Sequence, residues 1–124
     1  MAIGVGCRSG CDADEIVALV EEAMAMLPTR REAQGLYSID SRRDEAGLAE
    51  AARRLGLPLV FFPTEALQRL SDGAQTMSPL VDGIHGLPSV AETAALAGAG
   101  DDAVLLVARR ASARATCAIA GRPA

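Results

Sequence analysis

Apolar residues recur along the chain with two alternating spacings. Short runs rich in apolar residues at 2–5, 36–39 and 59–62 are each followed by a segment whose apolar residues recur every three or four positions. The first such segment, 13–27, stops at Pro28, and helices usually end before a proline. Strands that alternate with amphipathic helices predict an α/β fold with a largely parallel sheet.

Two four-residue motifs predict where helices begin. Asp12 with Glu15, and Ser89 with Glu92, have the spacing of a capping box, in which each residue hydrogen-bonds the backbone N–H of the other. The second motif is expected to begin a helix that reaches about residue 96.

Single residues predict further helix boundaries. Asp44 is predicted to cap a helix over 45–55, and Gly56 to end it in the left-handed conformation that favours glycine. A short helix is predicted over 64–70. Residues 71–88 carry weaker signals, with a Ser-Pro pair that indicates a further helical turn.

The last two apolar runs, 103–108 and 115–120, predict a fourth and a fifth strand. The connection between them is basic and too short for a crossover helix, so the pair is predicted to be antiparallel. Residues 1–124 therefore form one predicted domain, a three-layer α/β/α fold. Its sheet is expected to be mixed and mostly parallel, with about five strands and a C-terminal antiparallel hairpin.

Composition excludes several classes of function. The net charge is −4, and the only aromatic residues are one Tyr and two Phe, so a nucleic-acid partner is not expected. All 12 basic residues are Arg. Without Lys there can be no lysine Schiff base and no P-loop. Anions must be bound by Arg, hydroxyls or backbone N–H groups.

Location is predicted from the absence of targeting signals. The apolar start, residues 1–5, is too short for a signal peptide, and no apolar run is long enough to cross a bilayer. Three Cys residues without a disulfide spacing suit a reducing compartment. We therefore expect a cytoplasmic protein with no membrane partner.

Polar residues after the first predicted strand indicate an anion site. Ligands of open α/β sheets bind beyond the carboxyl ends of the parallel strands. The loop at that position contributes the candidate binding residues Gly6, Cys7, Arg8, Ser9 and Gly10. Its glycines allow a tight turn, Arg8 suits a carboxylate, and the following helix start supplies unpaired N–H groups. A plain strand-to-helix turn is the alternative.

The loop after the second predicted strand holds a pair of carboxylates. Asp40, Ser41 and Asp44 are candidate binding residues there, and Asp40 is a candidate general base. The alternative is that Asp40 shapes the turn and Asp44 only caps its helix. Ser89 is expected to line the same crevice, and Glu92 is a second candidate base, although a capping box explains both residues.

The cysteines and the single histidine suggest two other kinds of chemistry. Cys7, Cys11, Cys117 and His85 are four residues of the types that bind zinc, but their spacing is weak and Cys117 lies inside an apolar strand. We therefore predict no metal and no other cofactor. Cys7 is also a candidate nucleophile because it lies near a helix start, although no histidine is near it in sequence.

Five short motifs follow one another along the chain: GVGCR at 4–8, SID at 38–40 with DEAGL at 44–48, GLPLVFF at 56–62, SVAETAAL at 89–96 and ATCAIA at 115–120. Together they resemble the C-terminal domain of cobalt-precorrin-5A hydrolase over nearly the whole chain. That family implies a three-layer domain acting in cobalamin biosynthesis, where the longer enzyme opens a ring lactone of a cobalt-precorrin. The chain is expected to correspond to the short, free-standing form of the aerobic pathway.

The resemblance implies a role in corrin-ring synthesis. The expected ligand is a precorrin- or hydrogenobyrinate-type tetrapyrrole, with the protein as its carrier or as an accessory factor and Arg8 binding its carboxylates. A precorrin lactone hydrolase is the alternative, with Asp40 or Glu92 as general base. A module that docks on a pathway methyltransferase, or on another corrin-pathway enzyme, is a third hypothesis.

Overall fold

The computed structural model describes residues 1–75 and 89–123, with backbone alone over 71–75. Its strands are β1 (Ala2–Cys7), β2 (Leu36–Ile39), β3 (Leu59–Phe62), β4 (Val104–Ala111) and β5 (Ala115–Gly121). Its helices are α1 (Ala13–Ala25), α2 (Ala46–Leu55), α3 (Thr64–Gln75) and α4 (Val90–Ala99), and a 3₁₀ turn covers Asp40–Arg42. Each predicted strand is present within a few residues of its predicted bounds.

The strands form one mixed sheet in the order β3-β2-β1-β5-β4. β1, β2 and β3 run parallel, whereas β5 lies antiparallel between β1 and β4. Helices α1 and α2 pack together on one face, and α3 and α4 on the other. The predicted α/β/α architecture, with its mixed sheet and C-terminal hairpin, is confirmed.

The two faces of β1 differ in residue size because side chains alternate along a strand. Ile3 and Val5 are fully buried and belong to the main core, together with apolar residues of α1 and α2. Gly4 and Gly6 face α4. The strand therefore presents bulky side chains to one helical layer and bare backbone to the other.

Helix α4 packs directly on that bare backbone. A Cβ added to Gly4 would lie 1.9 Å from the carbonyl oxygen of Ala91 and 2.6 Å from the nitrogen of Ala95. The α4 residues at this contact are alanines, and all are fully buried. Small residues on both sides are what such a close approach requires, which explains why α4 is rich in alanine instead of having one bulky apolar stripe.

One predicted capping box forms and the other does not. Ser89 accepts a hydrogen bond from the N–H of Glu92, and the Glu92 carboxylate accepts one from the N–H of Ser89, as predicted. Asp12 is the N-cap of α1, but its side chain makes no capping hydrogen bond. The capping box predicted there is wrong because the Glu15 carboxylate is held by the hairpin between β4 and β5.

Helix α2 begins one residue later than predicted. Its N-cap is Glu45 and not Asp44, because the 3₁₀ turn carries the backbone on from Asp40 before the helix starts. Asp44 is exposed. The predicted end at Gly56 is confirmed, with a φ of +70°.

Helix α3 is longer than predicted, since it extends to Gln75 and does not end at residue 70. The strand before it, β3, forms one edge of the sheet, and its Val60 is 37% exposed. The helical turn predicted at the Ser-Pro pair lies outside the described residues, as does His85.

Gly4→Ala is expected to destabilise the protein by about 3 kcal/mol, because its methyl group would overlap backbone atoms that cannot rotate away. Gly56→Ala is the matched control. A Cβ there meets nothing within 4 Å, so its cost of about 1 kcal/mol comes from the left-handed backbone alone. The midpoints of urea unfolding curves measure both values. Equal destabilisation by the two variants would contradict the close α4 contact.

Candidate functional site

Several loops and helix starts meet at the edge of the sheet where β1, β2 and β3 end. These strands are parallel, and each is followed by a helix that begins there. The start of α4 lies at the same edge, since a Cβ on Gly6 would be 3.8 Å from that of Val90. We call residues 8–12, 40–45, 89–92 and 112–114 the upper edge. The helix starts bring partial positive charge to it.

The backbone of the loop after β1 is largely hydrogen-bonded within the chain. The N–H of Arg8 donates to the carbonyl of Arg114 over 2.8 Å, and the N–H of Cys11 donates to that of Arg8 over 3.1 Å. Gly10 has a φ of +78°, and its N–H donates to the Glu45 carboxylate over 2.8 Å. Three N–H groups of the turn therefore have partners within the chain, so the turn itself offers an anion mainly its side chains.

Two arginines on neighbouring loops of the upper edge lack acidic partners. Arg8 is exposed, and its guanidinium forms no ion pair within residues 1–75 and 89–123. The half-buried Arg42 in the 3₁₀ turn also forms no ion pair with a described residue. Its charge lies close enough to Cys7 to oppose, in part, the effects that raise the pKa of that thiol. Ser9, beside Arg8, is also exposed.

Asp40 is engaged by Arg43. Its carboxylate forms an ion pair with the Arg43 guanidinium, which also lies 5.1 Å from the ring centroid of Phe61. The ion pair and the cation–π contact fasten the turn to the end of β3. Ser41 and Asp44, the other predicted binding residues of this loop, are exposed.

The structure brings the two predicted binding loops together on one side of β1. Besides the bond between Gly10 and Glu45, the start of α2 touches the first loop, because a Cβ on Gly47 would lie 2.1 Å from the carbonyl oxygen of Cys11. Ser89 lies with α4 on the other side of the strand. The backbone of β1 therefore separates Ser89 from the other candidates.

Glu92 is buried and its carboxylate has structural partners. One oxygen accepts from the N–H and hydroxyl of Ser89, and the other accepts from the N–H of Arg109 over 3.2 Å. These bonds tie the start of α4 to β4. The binding role of Ser89 and the catalytic role of Glu92 stay predictions.

The cysteine thiols are protonated near neutral pH. Burial, together with Cys11 and Glu45, raises the pKa of Cys7 to about 11. The pKa of Cys7 thus moves in the direction opposite to the one that a nearby helix start favours, and burial is the largest cause. Burial also raises the pKa of Cys11, and that of Cys117 to about 12. No cluster of three His, Cys, Asp or Glu residues among those described is arranged to hold a metal ion.

Sequence reasoning missed the part played by the hairpin between β4 and β5. Glu15 accepts hydrogen bonds from the hydroxyl of Ser112 and from the N–H of Arg114, the latter over 2.7 Å. These bonds lower the pKa of Glu15 and fasten the hairpin to the start of α1. The sequence held no local signal for this contact, because it depends on β4 lying parallel to β1 in the sheet.

A separate cleft of about 330 Å³ lies at the opposite edge of the sheet. Its lining residues are Met1, Arg31, Gln34, Ala99, Gly121 and Arg122. Within it, Arg31 donates a hydrogen bond of 2.7 Å to the carbonyl of Arg122. The binding residues predicted from the sequence do not line this cleft.

Comparison with known proteins identifies the family. The family model described as Cobalamin synthesis G C-terminus matches residues 1–120, almost the whole chain. The protein belongs to this family. The resemblance carried by the five sequence motifs is confirmed.

Relatives of this cobalamin synthesis G C-terminal protein include both short and long chains. Protein CobE of Sinorhizobium sp is 34% identical over 122 residues, which are 98% of this chain and 79% of that protein. Cobalt-precorrin-5A hydrolase of Priestia megaterium is 32% identical over 111 residues, which are 89% of this chain but 29% of the hydrolase. The crystal structure of cobalamin biosynthesis protein chiG from Agrobacterium tumefaciens str. C58 has a TM-score of 0.81 at 36% identity, covering 99% of this chain and 98% of that one.

Membership of the cobalamin synthesis G C-terminal family places the protein in cobalamin biosynthesis. The likeness to the hydrolase covers less than a third of that enzyme, so it does not carry over the enzyme's activity. Within the described residues, no helix combines the length and the hydropathy needed to cross a membrane.

Cys7 is expected to react slowly with iodoacetamide. With a pKa of about 11 against an ordinary 9.0, its reactive thiolate near pH 8 is about 100-fold scarcer than that of an ordinary cysteine. Mass spectrometry of the modified protein measures the rate, with a short unstructured cysteine peptide as control. A rate equal to that of the peptide would show that burial does not protect Cys7.

Glu15→Gln is expected to destabilise the protein at neutral pH, and this effect should shrink as the pH falls below 4.5. The pKa of Glu15 is lowered in the fold, so its carboxylate stabilises fully above the ordinary value of 4.5 and loses this effect as pH falls through the folded-state pKa. Urea unfolding across this pH range measures the difference, with Glu21→Gln on the exposed face of α1 as control. If the difference in the free energy of unfolding between Glu15→Gln and the wild type did not change with pH, the role of the hairpin contact would be contradicted.

Proposed function

We propose that the protein binds a precorrin- or hydrogenobyrinate-type tetrapyrrole, as an intermediate of cobalamin biosynthesis, at the upper edge of its sheet. It acts as a carrier or accessory factor. Such a ligand is a large apolar ring bordered by acetate and propionate carboxylates. A protein without lysine meets those carboxylates best with guanidinium groups.

A contrast between two groups of arginines carries this proposal. Arginines of α2 and β4 have acidic partners: Arg53 pairs with Glu50, Arg54 with Glu50 and Asp14, and Arg110 with Glu22. Arg8 and Arg42 have none in the part of the chain that the structure describes. Their guanidinium groups are therefore available to the carboxylates of a ligand.

The acids of the upper edge do not occupy these two arginines. Asp40 already has an arginine partner, and Glu45 accepts from the N–H of Gly10. Asp12 and Asp44 are exposed, and neither forms an ion pair with a described residue. Since every buried side-chain N or O atom in the described residues also has a partner, a ligand would be met by the exposed groups.

Binding is favoured over hydrolysis because the predicted catalytic groups are engaged. Glu92 is buried and held by Ser89 and by the backbone of β4. Asp40 is held in an ion pair, and the raised pKa of Cys7 keeps its thiol protonated. A general base must be able to take a proton from water, and the bonds that these groups already make support binding over hydrolysis.

Titration with hydrogenobyrinic acid, followed by absorbance, tests the proposal. Saturable binding is expected, and Arg8→Ala should weaken it about tenfold, since a hydrogen bond between charged groups contributes roughly 1.5 kcal/mol. Arg30→Ala is the matched control, because it removes the same charge beyond the other end of α1. No binding by the wild type, or an equal loss in both variants, would contradict the proposal.

The fate of the ligand separates a carrier from a hydrolase. A lactone-bearing cobalt-precorrin incubated with the protein should be recovered with unchanged mass if the protein is a carrier. A gain of one water, with or without the loss of acetaldehyde, that is absent without protein would show hydrolysis instead. Co-purification with a pathway methyltransferase in the absence of any tetrapyrrole would favour the docking module.

A further inference from the structure

The hairpin between β4 and β5 brings a third arginine to the upper edge. β4 runs parallel to β1, because both strands are antiparallel to β5. The end of β4 therefore lies at the same edge as the end of β1, with residues 112–114 beside the loop 8–12. Arg114 is the last residue of this connection and is exposed.

The backbone of Arg114 is fixed from two directions. Its carbonyl accepts a hydrogen bond of 2.8 Å from the N–H of Arg8, and its own N–H donates one of 2.7 Å to the Glu15 carboxylate. The hydroxyl of Ser112 also donates to Glu15. Although the hairpin lies on the surface, Arg114 has a defined place next to Arg8.

The guanidinium of Arg114, by contrast, forms no hydrogen bond or ion pair with a residue of 1–75 or 89–123. Its charge reaches the first loop, because it lowers the pKa of Cys11 against the larger effect of burial. Arg8 and Arg114 thus have backbones bonded to each other and guanidinium groups that form no ion pair with a described residue, although the charge of Arg114 also contributes to the lowered pKa of Glu15. Two carboxylates bound beside them would give each guanidinium a charged partner.

We propose that Arg8 and Arg114 together bind two neighbouring carboxylates of one ligand, so that the site selects tetrapyrroles with at least two free carboxylates on one side of the ring. This inference rests on the proposed function and extends it by adding Arg114 as a binding residue. One guanidinium fork matches one carboxylate. A ring whose carboxylates have been converted to amides offers neither arginine a charged partner.

Titrations of two ligands with four variants test the pair. Arg114→Ala should weaken the binding of hydrogenobyrinic acid about tenfold, and Arg8→Ala with Arg114→Ala should weaken it about 100-fold. The fully amidated ring should bind the wild type at least about tenfold more weakly, and Arg114→Ala should make no further difference to it. Arg122→Ala, in the cleft at the opposite edge, is the control and should bind normally.

Failure of this inference can be told from failure of the proposed function. Arg114→Ala keeps the N–H and carbonyl that hold the hairpin, so its urea midpoint should equal that of the wild type. Normal binding by Arg114→Ala, with weaker binding by Arg8→Ala, would overturn the pair and leave the proposed function standing. Equal binding of the acid and the amidated ring would also overturn the pair. No binding by the wild type, or a loss in Arg122→Ala alone, would overturn both.

Discussion

The contact between α4 and the bare backbone of β1 fixes the arrangement of the upper edge. Because Gly4 has no side chain, the carbonyl oxygen of Ala91 lies almost where a Cβ would be, and α4 crosses directly over β1. That crossing places the start of α4 beside Gly6 and lets the buried Glu92 carboxylate reach the N–H of Arg109 in β4. This packing holds together β1, the start of α4 and β4. The loops of the upper edge take their spacing from it.

Features with local causes could be predicted from the sequence, and those with a choice of partners could not. The apolar runs of β2 and β3 and the glycine that ends α2 depend on neighbours in sequence, and the structure has them at the predicted residues. The two capping-box motifs show the limit. Both have the same spacing, but Glu15 binds donors of a hairpin near the other end of the chain, whereas Glu92 stays with Ser89. The four-residue motif alone does not show which donors its glutamate will bind.

The residues of the candidate site also differ in how far the sequence alone predicts their positions. The position of Arg8 follows from a strand and the glycines beside it, so sequence pattern alone predicts it. Arg114 joins it only through the strand order, which places a strand from the end of the chain next but one to the first. The pKa of Cys7 could not be predicted because it depends on burial, and a helix start argues in the opposite direction.

The hydrogen-bond donors that the acids use explain how an acidic protein keeps arginines available at one edge. On α1 and α2, Asp14, Glu22 and Glu50 accept from guanidinium groups, and such surface pairs stabilise a fold only slightly. At the upper edge, Glu15, Glu45 and Glu92 accept from backbone N–H groups of a hairpin, a loop and a helix start. When a carboxylate accepts from a backbone N–H, a nearby guanidinium has one acidic partner fewer. The backbone's need for acceptors is therefore one reason why arginines at this edge lack acidic partners.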